Sequence, residues 1–536
     1  MTRTTKADDP RTIFEAVCSA MADPTFYPHA VTGVERRDTH ISAVFLTGSI
    51  VYKLKKPLAL GFLDFRRLED RRTACLREVE LNRRLSHDVY REVVPIHRGP
   101  DGKISLSPGG RVVEYAVTMR QLPEASNLRT LLETGRAGHE CMVEIGLRLA
   151  RFYDESERSS AVDAYGSPDA VAYNMEENFR QLGPWVDTVL AGWPWPFLCE
   201  ANRAFLVDHK ALFQGRIANG RIRDGHGDLR ADHVYFDGGL QIIDCIEFND
   251  RFRYGDAAVD LAFLVMDMAA LGHGALGYTL LAAYAAAAAD PGVFALIDFY
   301  VVYRALVRVK VSCMRLSAAD ADERAVLLTE IGRYMDLAYR HTLMFARPTL
   351  WVCCGLPASG KSSLAARLGE AMGIRVFSSD RVRKTMAPGS GVSPYGKGTY
   401  SDQRRNRVYG RLLALAQDEL RSGRSVILDA TYGRRHWRDG VRQLASDMDA
   451  GLIFAECVSP LETLRRRLAR RDRSPGLSDA RLGHLSRLSA EFEALTDIPQ
   501  AMRVSVDTDG PRENTVTALL KTAWALRELQ IAGRSS

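Results

Sequence analysis

Thr349-Leu-Trp-Val-Cys-Cys354, followed by Gly355, Leu356, Pro357, Ala358, Ser359, Gly360, Lys361, Ser362 and Ser363, is the stretch that decides the fold of the last third of the chain. Thr349–Cys354 is an apolar run of buried-strand length. It leads directly into G-x-x-x-x-G-K-S, the spacing of a phosphate-binding (Walker A) loop. Gly355 and Gly360 let the backbone curl so that successive N–H groups point at phosphate oxygens. In that pattern Lys361 reaches the β- and γ-phosphates and the Ser362 hydroxyl ligates Mg²⁺. Ser363 onward continues as a helix whose positive end faces the anion. Strand, loop and helix in this order imply a nucleoside-triphosphate site.

The pattern repeats downstream. Ile374–Phe377, Ser425–Leu428 and Leu452–Cys457 are short apolar runs separated by helical stretches, which predicts a parallel sheet covered by helices. Two of these strands end in an acid. Ser378-Ser-Asp380-Arg-Val-Arg383 follows the second, where ligands of α/β sheets bind. Asp429 closes Ser425-Val-Ile-Leu and is placed to hold a metal through water. The arginine-dense helix Leu464–Arg473 and the final helix Glu513–Leu529 complete this part.

Composition sets bounds on the rest. With 536 residues the chain has room for two or three domains. The most apolar window, Ala257–Gly272, is interrupted by Asp260 and Asp267, so no membrane-spanning helix is expected. The start, MTRTTKADDP, lacks the apolar core of a signal peptide. Nine scattered cysteines without a C-x-x-C pair point to reduced thiols in the cytoplasm, with no zinc site. Residues 349–536 carry 30 Lys/Arg against 20 Asp/Glu, which favours anionic ligands there. Lysine is scarce, so the group Lys53, Lys55 and Lys56 draws notice.

In the first part, Arg11–Ala20 reads as a helix, Thr39–Phe45 and Ser49–Lys55 as strands around Gly48, and Leu68–Leu85 as a charged helix. Val112–Leu122 is a further strand, followed by a linker at Pro123–Asn127. Period-two alternation puts Lys53 and Lys55 on one strand face. The aromatics Trp185, Trp193, Trp195 and Phe197 are expected to form core or pocket wall, and Gly274–Phe345 to be mostly helical. Further on stand His226-Gly-Asp228-Leu-Arg-Ala-Asp-His233, then Leu240-Gln-Ile-Ile-Asp244, then Asp256 and Asp260.

These last motifs resemble the catalytic segment of aminoglycoside phosphotransferase-like kinases, whose relatives among protein kinases show the roles. The resemblance implies an α+β bilobal protein-kinase-like domain over 1–347, with a small lobe at about 30–122 and a large lobe at about 128–347. It implies Asp228 as acceptor of the substrate hydroxyl's proton and Asp244 as ligand of Mg²⁺ on ATP. Lys53, ahead of Lys55, becomes the phosphate ligand, and Glu78, ahead of Glu80, its ion-pair partner. Asp256 and Asp260 brace the loop. The region 348–536, an α/β P-loop NTPase domain, resembles the kinases related to polynucleotide 5′-kinases, gluconate kinases and zeta-type toxins. That resemblance implies Asp380 as general base, Arg383 as a clamp on acceptor or phosphate, and Arg467 and Arg470 as lid contacts to ATP, with Ser474-Pro-Gly and Ser478-Asp479 in the same lid.

The whole resembles a bacterial fusion of the two kinase types. It implies a cytoplasmic, bifunctional, ATP- and Mg²⁺-dependent phosphotransferase for small hydroxylated acceptors. One departure stands out: His233 occupies the position where the pattern has a metal-binding Asn. Either the metal is held differently, or His233 only packs, or the first lobe is a regulatory pseudokinase. A nucleic-acid 5′ end is the alternative acceptor for the basic C-terminal part, but no aromatic platform is interleaved with its arginines. The small acidic group Asp320, Asp322 and Glu323 is not enough to imply an aminoglycoside pocket.

Overall fold

The computed structural model describes residues 9–61, 63–386, 401–473, 481–510 and 512–532. The lid residues Ser474-Pro-Gly and Ser478-Asp479 lie outside these. The chain divides into two compact units. One comprises the residues up to Tyr165 together with Gly220–Asp267, and the other Gly166–Asn219 together with the chain from Met268.

In the first unit, α1 (Pro10–Met21) starts at Asp9, whose carboxylate accepts the Thr12 N–H, with Pro10 in the first turn where no N–H is needed. An antiparallel sheet follows, built from β1 (Glu35–Asp38), β2 (Ser42–Leu46), β3 (Ile50–Lys55), β4 (Tyr90–Arg98), β5 (Ile104–Ser105) and β6 (Arg111–Arg120). Its order is β1-β2-β3-β6-β4-β5. The alternation of β3 gives the sheet two faces. Tyr52 and Leu54 pack with Phe14, Val17 and Met21 of α1, whereas Val51 packs with Cys75 and Val79 of α2 (Leu68–Asn82). Lys53 and Lys55 share the α2 face. Arg71 of α2, buried, fixes the helix to the sheet by donating from Nε to both oxygens of Glu114 at 2.9 Å.

The strand β4 has no counterpart in the sequence reading. Arg91, Glu92 and Pro95 break its apolar pattern, and a bulge lies between Tyr90 and Glu92. Pro95 is tolerated because β5 pairs only with His97 and Arg98, so at Pro95 the outer side of β4 has no ladder partner to lose. The catalytic-type segment then crosses between β7 (Ile222–Asp224), β8 (Val234–Phe236), β9 (Leu240–Ile242) and β10 (Tyr254–Asp256) in two short hairpin-like pairs.

In the second unit, three long helices, α3 (Gly274–Ala287), α4 (Val293–Arg315) and α5 (Ala321–Ala346), precede the parallel sheet. Asp320 caps α5 and Asp322 and Glu323 fill its first turn, where acids complement the helix dipole. That group is therefore a helix start. The aromatic segment departs from expectation: Trp185, Trp193 and Trp195 are only half-buried and Phe197 is exposed. Trp185 and Trp193 lie outside long helices, Gly192 has φ +93°, and Trp195 and Phe197 fall in the first turn of the helix Trp195–Asp208, so the four rings share no continuous face to bury.

The sheet comprises β11 (Thr349–Cys354), β12 (Arg375–Ser378), β13 (Val426–Asp429), β14 (Gly451–Val458) and β15 (Arg503–Asp507), in the order β12-β13-β11-β14-β15. All pairs are parallel. Between the strands run α6 (Lys361–Met372), α7 (Ser379–Met386), α8 (Asp402–Arg421), α9 (Arg435–Asp447) and α10 (Leu461–Asp472). The last helix, α11 (Arg512–Ala532), is held on both sides. Its Trp524 ring lies 6.4 Å from Trp351 of β11 and 5.5 Å from Phe294 of α4. Buried Asp298 of α4 accepts from Trp524 Nε1 at 3.0 Å and from His341 Nδ1 of α5 at 2.9 Å.

Candidate active sites

In the first unit the fold gathers residues that are almost 200 positions apart. Lys53 Nζ lies 2.7 Å from Glu78 Oε1 and 2.5 Å from Asp244 Oδ1. Lys55, read from the sequence as second to Lys53, is fully buried; it lies 2.5 Å from Glu78 Oε2 and also pairs with Glu247. Burial opposes the charge on each lysine, but Asp244 and Glu78 around Lys53, and Glu247 and Glu78 around Lys55, outweigh it and raise both pKa values. Burial likewise resists the charge on Glu78, and the two ammonium groups override it and hold its pKa below the ordinary value. Glu80 has no part in this cluster. Asp244 stands in the left-handed region at φ 65°, with its N–H donating to Tyr90 Oη at 3.1 Å.

The loop at 226–233 is held from behind. Asp260 accepts the N–H of His226 at 2.6 Å and of Gly227 at 2.9 Å, while Asp267 accepts that of Ala231 at 2.9 Å. Asp256 instead accepts the N–H of Ala258 and so caps the following helix. Gly227 is required: at φ +87° a Cβ would sit 2.9 Å from Phe252 O. His226 is wholly buried, and burial lowers its pKa to about 4. Its Nε2 faces the Ile243 carbonyl at 3.0 Å and its Nδ1 faces the Asp228 N–H at 3.3 Å. Both nitrogens thus serve backbone. Asp228, His233 and Asp244 come together, each with one donor atom within 4.8 Å of the others. Arg230, which sequence reading passed over, donates toward Asp228 at 3.3 Å, Asp232 at 3.0 Å and His233 Nε2 at 3.0 Å.

In the second unit the phosphate-type loop joins β11 to α6. Gly355 has φ +131° and a Cβ there would lie 2.5 Å from Cys457 O; Ala358 and Gly360 also have positive φ. Leu356 and Ala358 seat the loop on Leu464 and Leu468 of α10. The Gly355 N–H donates to Thr431 O at 3.2 Å, and Thr508 Oγ1 bonds the Ser359 carbonyl from the other side. Lys361 Nζ faces Leu356 O at 3.5 Å, and burial lowers its pKa, only partly countered by Asp429. Ser362 and Ser363 stand in the first turn of α6.

Asp429 is level in the ladder with Cys353 on one side and Ser378 on the other, so Asp380 and the loop lie at the same carboxyl edge of the sheet. Buried Asp429 Oδ1 and Ser359 Oγ lack a hydrogen-bond partner among the described residues. A buried carboxylate oxygen without a partner, at the same sheet edge as the loop, is a donor that fits a hard oxygen-seeking cation. Asp380 and Arg383 pair with each other within α7.

A cavity of about 600 Å³ opens on the loop, lined by Lys361, Ser362, Arg367, Arg467, Arg470 and Arg471 among others. Arg467 donates to Ala358 O of the loop at 3.2 Å and to Thr508 O, just past β15, at 2.7 Å, so it ties the loop to the end of that strand. Arg471, one of several adjacent arginines, has its pKa lowered by desolvation at the cavity wall and by Arg481.

Residues 350–495 match the family model of the AAA domain. Over 505 residues the chain is 34% identical to the uncharacterized protein Rv2004c of Mycobacterium tuberculosis, spanning 92% of this chain and 97% of that one. The chain belongs to the same family as that mycobacterial protein. Two solved structures are also similar. A putative kinase from Chloroflexus aurantiacus is 23% identical, covering 33% of this chain and 98% of its own, with a TM-score of 0.29. A choline/ethanolamine kinase family protein from Mesorhizobium loti is 15% identical, covering 61% and 97%, with a TM-score of 0.36. In this chain an N-terminal part built on a six-stranded antiparallel sheet precedes a five-stranded parallel sheet whose phosphate-type loop lies within the residues that match the AAA-domain model. Among the described residues no helix is long and apolar enough to cross a membrane.

Proposed function

We propose that the chain is an ATP-dependent phosphotransferase with two sites, one in 1–347 and one in 348–536, each passing the γ-phosphate of ATP to a hydroxyl of a small acceptor. The observation that carries this reading is Lys53 bridging Glu78 and Asp244 beside Asp228, a set drawn from three distant segments. In the first site Lys53 holds the phosphates and Glu78 holds Lys53. Asp228 takes the proton of the acceptor hydroxyl as its oxygen bonds to the γ-phosphorus, and ADP leaves with the electrons of the broken P–O bond. In the second, the amides of Gly355–Ser363 and Lys361 cradle the phosphates, Arg470 and Arg471 face them across the cavity, and Arg467 keeps the loop in shape. Asp380 takes the acceptor proton once Arg383 turns to the acceptor or phosphate. Ser362 and Asp429 would hold Mg²⁺ there, which when bound neutralises charge on the phosphates.

A second reading, that the first unit senses nucleotide without transferring phosphate, is favoured by His233 at a metal-binding position. A polynucleotide acceptor is less favoured, because Trp437, which lies under Arg405 and Arg434, is buried and offers no face for a base. The test is transfer of labelled γ-phosphate from ATP into fractionated metabolites by wild type, Asp228→Asn and Asp380→Asn. Loss of a different product in each variant supports two kinases. A pattern indifferent to Asp228 would make the first unit regulatory, and salt-dependent labelling of oligonucleotide ends would restore the polynucleotide acceptor.

A further inference from the structure

The donor set at Asp228, His233 and Asp244 does not match an all-oxygen magnesium site. Mg²⁺ seeks six oxygens at about 2.0–2.1 Å, and an imidazole nitrogen is a poor substitute. We propose that this cluster is a nitrogen-containing site for a divalent first-row transition ion, which His233 ligates through Nε2 together with the two aspartates. The proposal rests on the phosphotransferase reading of the first unit and names the ion that unit uses.

The tautomer of His233 is set by its neighbours. Nδ1 lies 2.8 Å from the Asp228 carbonyl, which only accepts, so Nδ1 carries the hydrogen. Nε2 lies 3.0 Å from Arg230 Nη2, which only donates, so Nε2 presents its lone pair. That lone pair faces Asp244 Oδ2 at 3.5 Å. Nε2 and Asp244 Oδ2 are thus two acceptors side by side, the nitrogen served by one Arg230 N–H, and a cation that displaces that N–H would bind both. A ligating histidine ordinarily donates its other N–H to a backbone carbonyl or carboxylate, as His233 does.

The contrast with His226, seven residues earlier, is informative. Both of its nitrogens are consumed by backbone groups, so it can only hold the loop. His233 spends one nitrogen on backbone and turns the other toward side chains. Asp244 is divided in the same way, with Oδ1 on Lys53 and Oδ2 toward His233. An octahedral ion with bonds of about 2.1 Å separates adjacent donors by roughly 3 Å and opposite ones by roughly 4.2 Å; one donor atom from each of the three residues lies within 4.8 Å of the others, with His233 Nε2 3.5 Å from Asp244 Oδ2 and Nδ1 3.6 Å from Asp228 Oδ2. Arg230 keeps Asp228 and Asp232 as acceptors when it yields Nε2. Imidazole mixed with carboxylate suits Mn²⁺, Fe²⁺ or Co²⁺ better than Mg²⁺.

The test uses the full chain without nucleotide and Mn²⁺ alone as probe. Free Mn²⁺ is counted by electron paramagnetic resonance, and bound Mn²⁺ is examined for ¹⁴N coupling. Wild type is expected to show a coordinated imidazole nitrogen and to resist displacement by Mg²⁺. His233→Asn should lose the nitrogen signal and shift the Mn²⁺/Mg²⁺ preference by about 10-fold or more toward Mg²⁺. Asp244→Asn should weaken binding in both. His233→Gln, checked for an unchanged unfolding midpoint, guards against a variant that fails to fold. Bound Mn²⁺ without ¹⁴N coupling, an unchanged preference in His233→Asn, or no binding to wild type would each overturn the site. Nitrogen coupling in a chain that transfers no phosphate with either ion would instead sink the kinase reading and leave the site standing.

Discussion

The two sites hold a lysine in opposite ways. In the first unit Lys53 and Lys55 are buried among three carboxylates, and the network spans β3, α2 and the Asp244–Glu247 segment. In the second, Lys361 is half-buried beside a loop carbonyl on the cavity wall, and the loop's shape comes from backbone hydrogen bonds and positive-φ residues. One site pre-pays its cation with side-chain charge, so the lysines are part of the fold. The other leaves its cation to be satisfied by the incoming phosphates, so Lys361 is a cost to the empty fold. Function and stability are thus coupled at the first site and opposed at the second.

The largest expected effect is on stability. Lys55→Met strands Glu247 and leaves Glu78 with Lys53 alone, and should cost the first unit about 3–5 kcal/mol, whereas Lys361→Met should cost the second nothing or stabilise it slightly. The two are separable, because all six tryptophans lie in the second unit. Urea unfolding followed by tryptophan fluorescence reads that unit, and circular dichroism reads both. Equal losses in the two variants would erase the contrast. Next, ATP at 100 times its dissociation constant should stabilise the second unit by about 2.7 kcal/mol in wild type, and Lys361→Met should remove most of that gain. A fluorescence-detected melt checks it.

A smaller effect is expected from Trp524→Phe, which removes one donor from Asp298 while His341 remains; about 1 kcal/mol should be lost from the fluorescence-detected transition. The smallest and most diagnostic effect is in pH dependence. Glu78 has a lowered pKa, so its contribution is full above the unfolded value of 4.5 and is lost as pH falls through the folded value. Lys361 also has a lowered pKa, so between its folded value and 10.5 the unfolded chain binds more protons and stability rises with pH. Glu78→Gln should flatten the acid limb of the stability profile and also shrink the loss of stability above pH 10.5 that the raised pKa values of Lys53 and Lys55 bring, whereas Lys361→Met should act on the alkaline limb alone.

Legibility in the sequence follows the same division. The loop Gly355–Ser362 was readable because its chemistry is local: backbone curl, lysine and hydroxyl sit within eight consecutive residues. The parallel sheet followed from apolar runs, except for β15, whose Arg503-Val-Ser-Val-Asp507 alternates as an edge strand does. At the first site Asp228 and Asp244 were visible only through a motif, since nothing local distinguishes them from other acids. The Lys55–Glu247 pair was not visible at all. Its partners are 192 residues apart and meet only because β3 and the Asp244 segment face each other in the folded unit. Arg471 was hidden among identical neighbours, because its place on the cavity wall selects it and composition does not.

The placement of α11 bears on how the protein can be taken apart. Its first turns, at Thr515 and Val516, line the nucleotide cavity, and two turns later Trp524 lies between the sheet and the helices α4 and α5. A fragment cut at Pro348 would keep the helix but lose Phe294, Asp298 and His341. It would carry a bare indole and an apolar stripe into water. Such a fragment should self-associate on purification, and the shortest well-behaved piece containing the phosphate loop is one that begins upstream of α4.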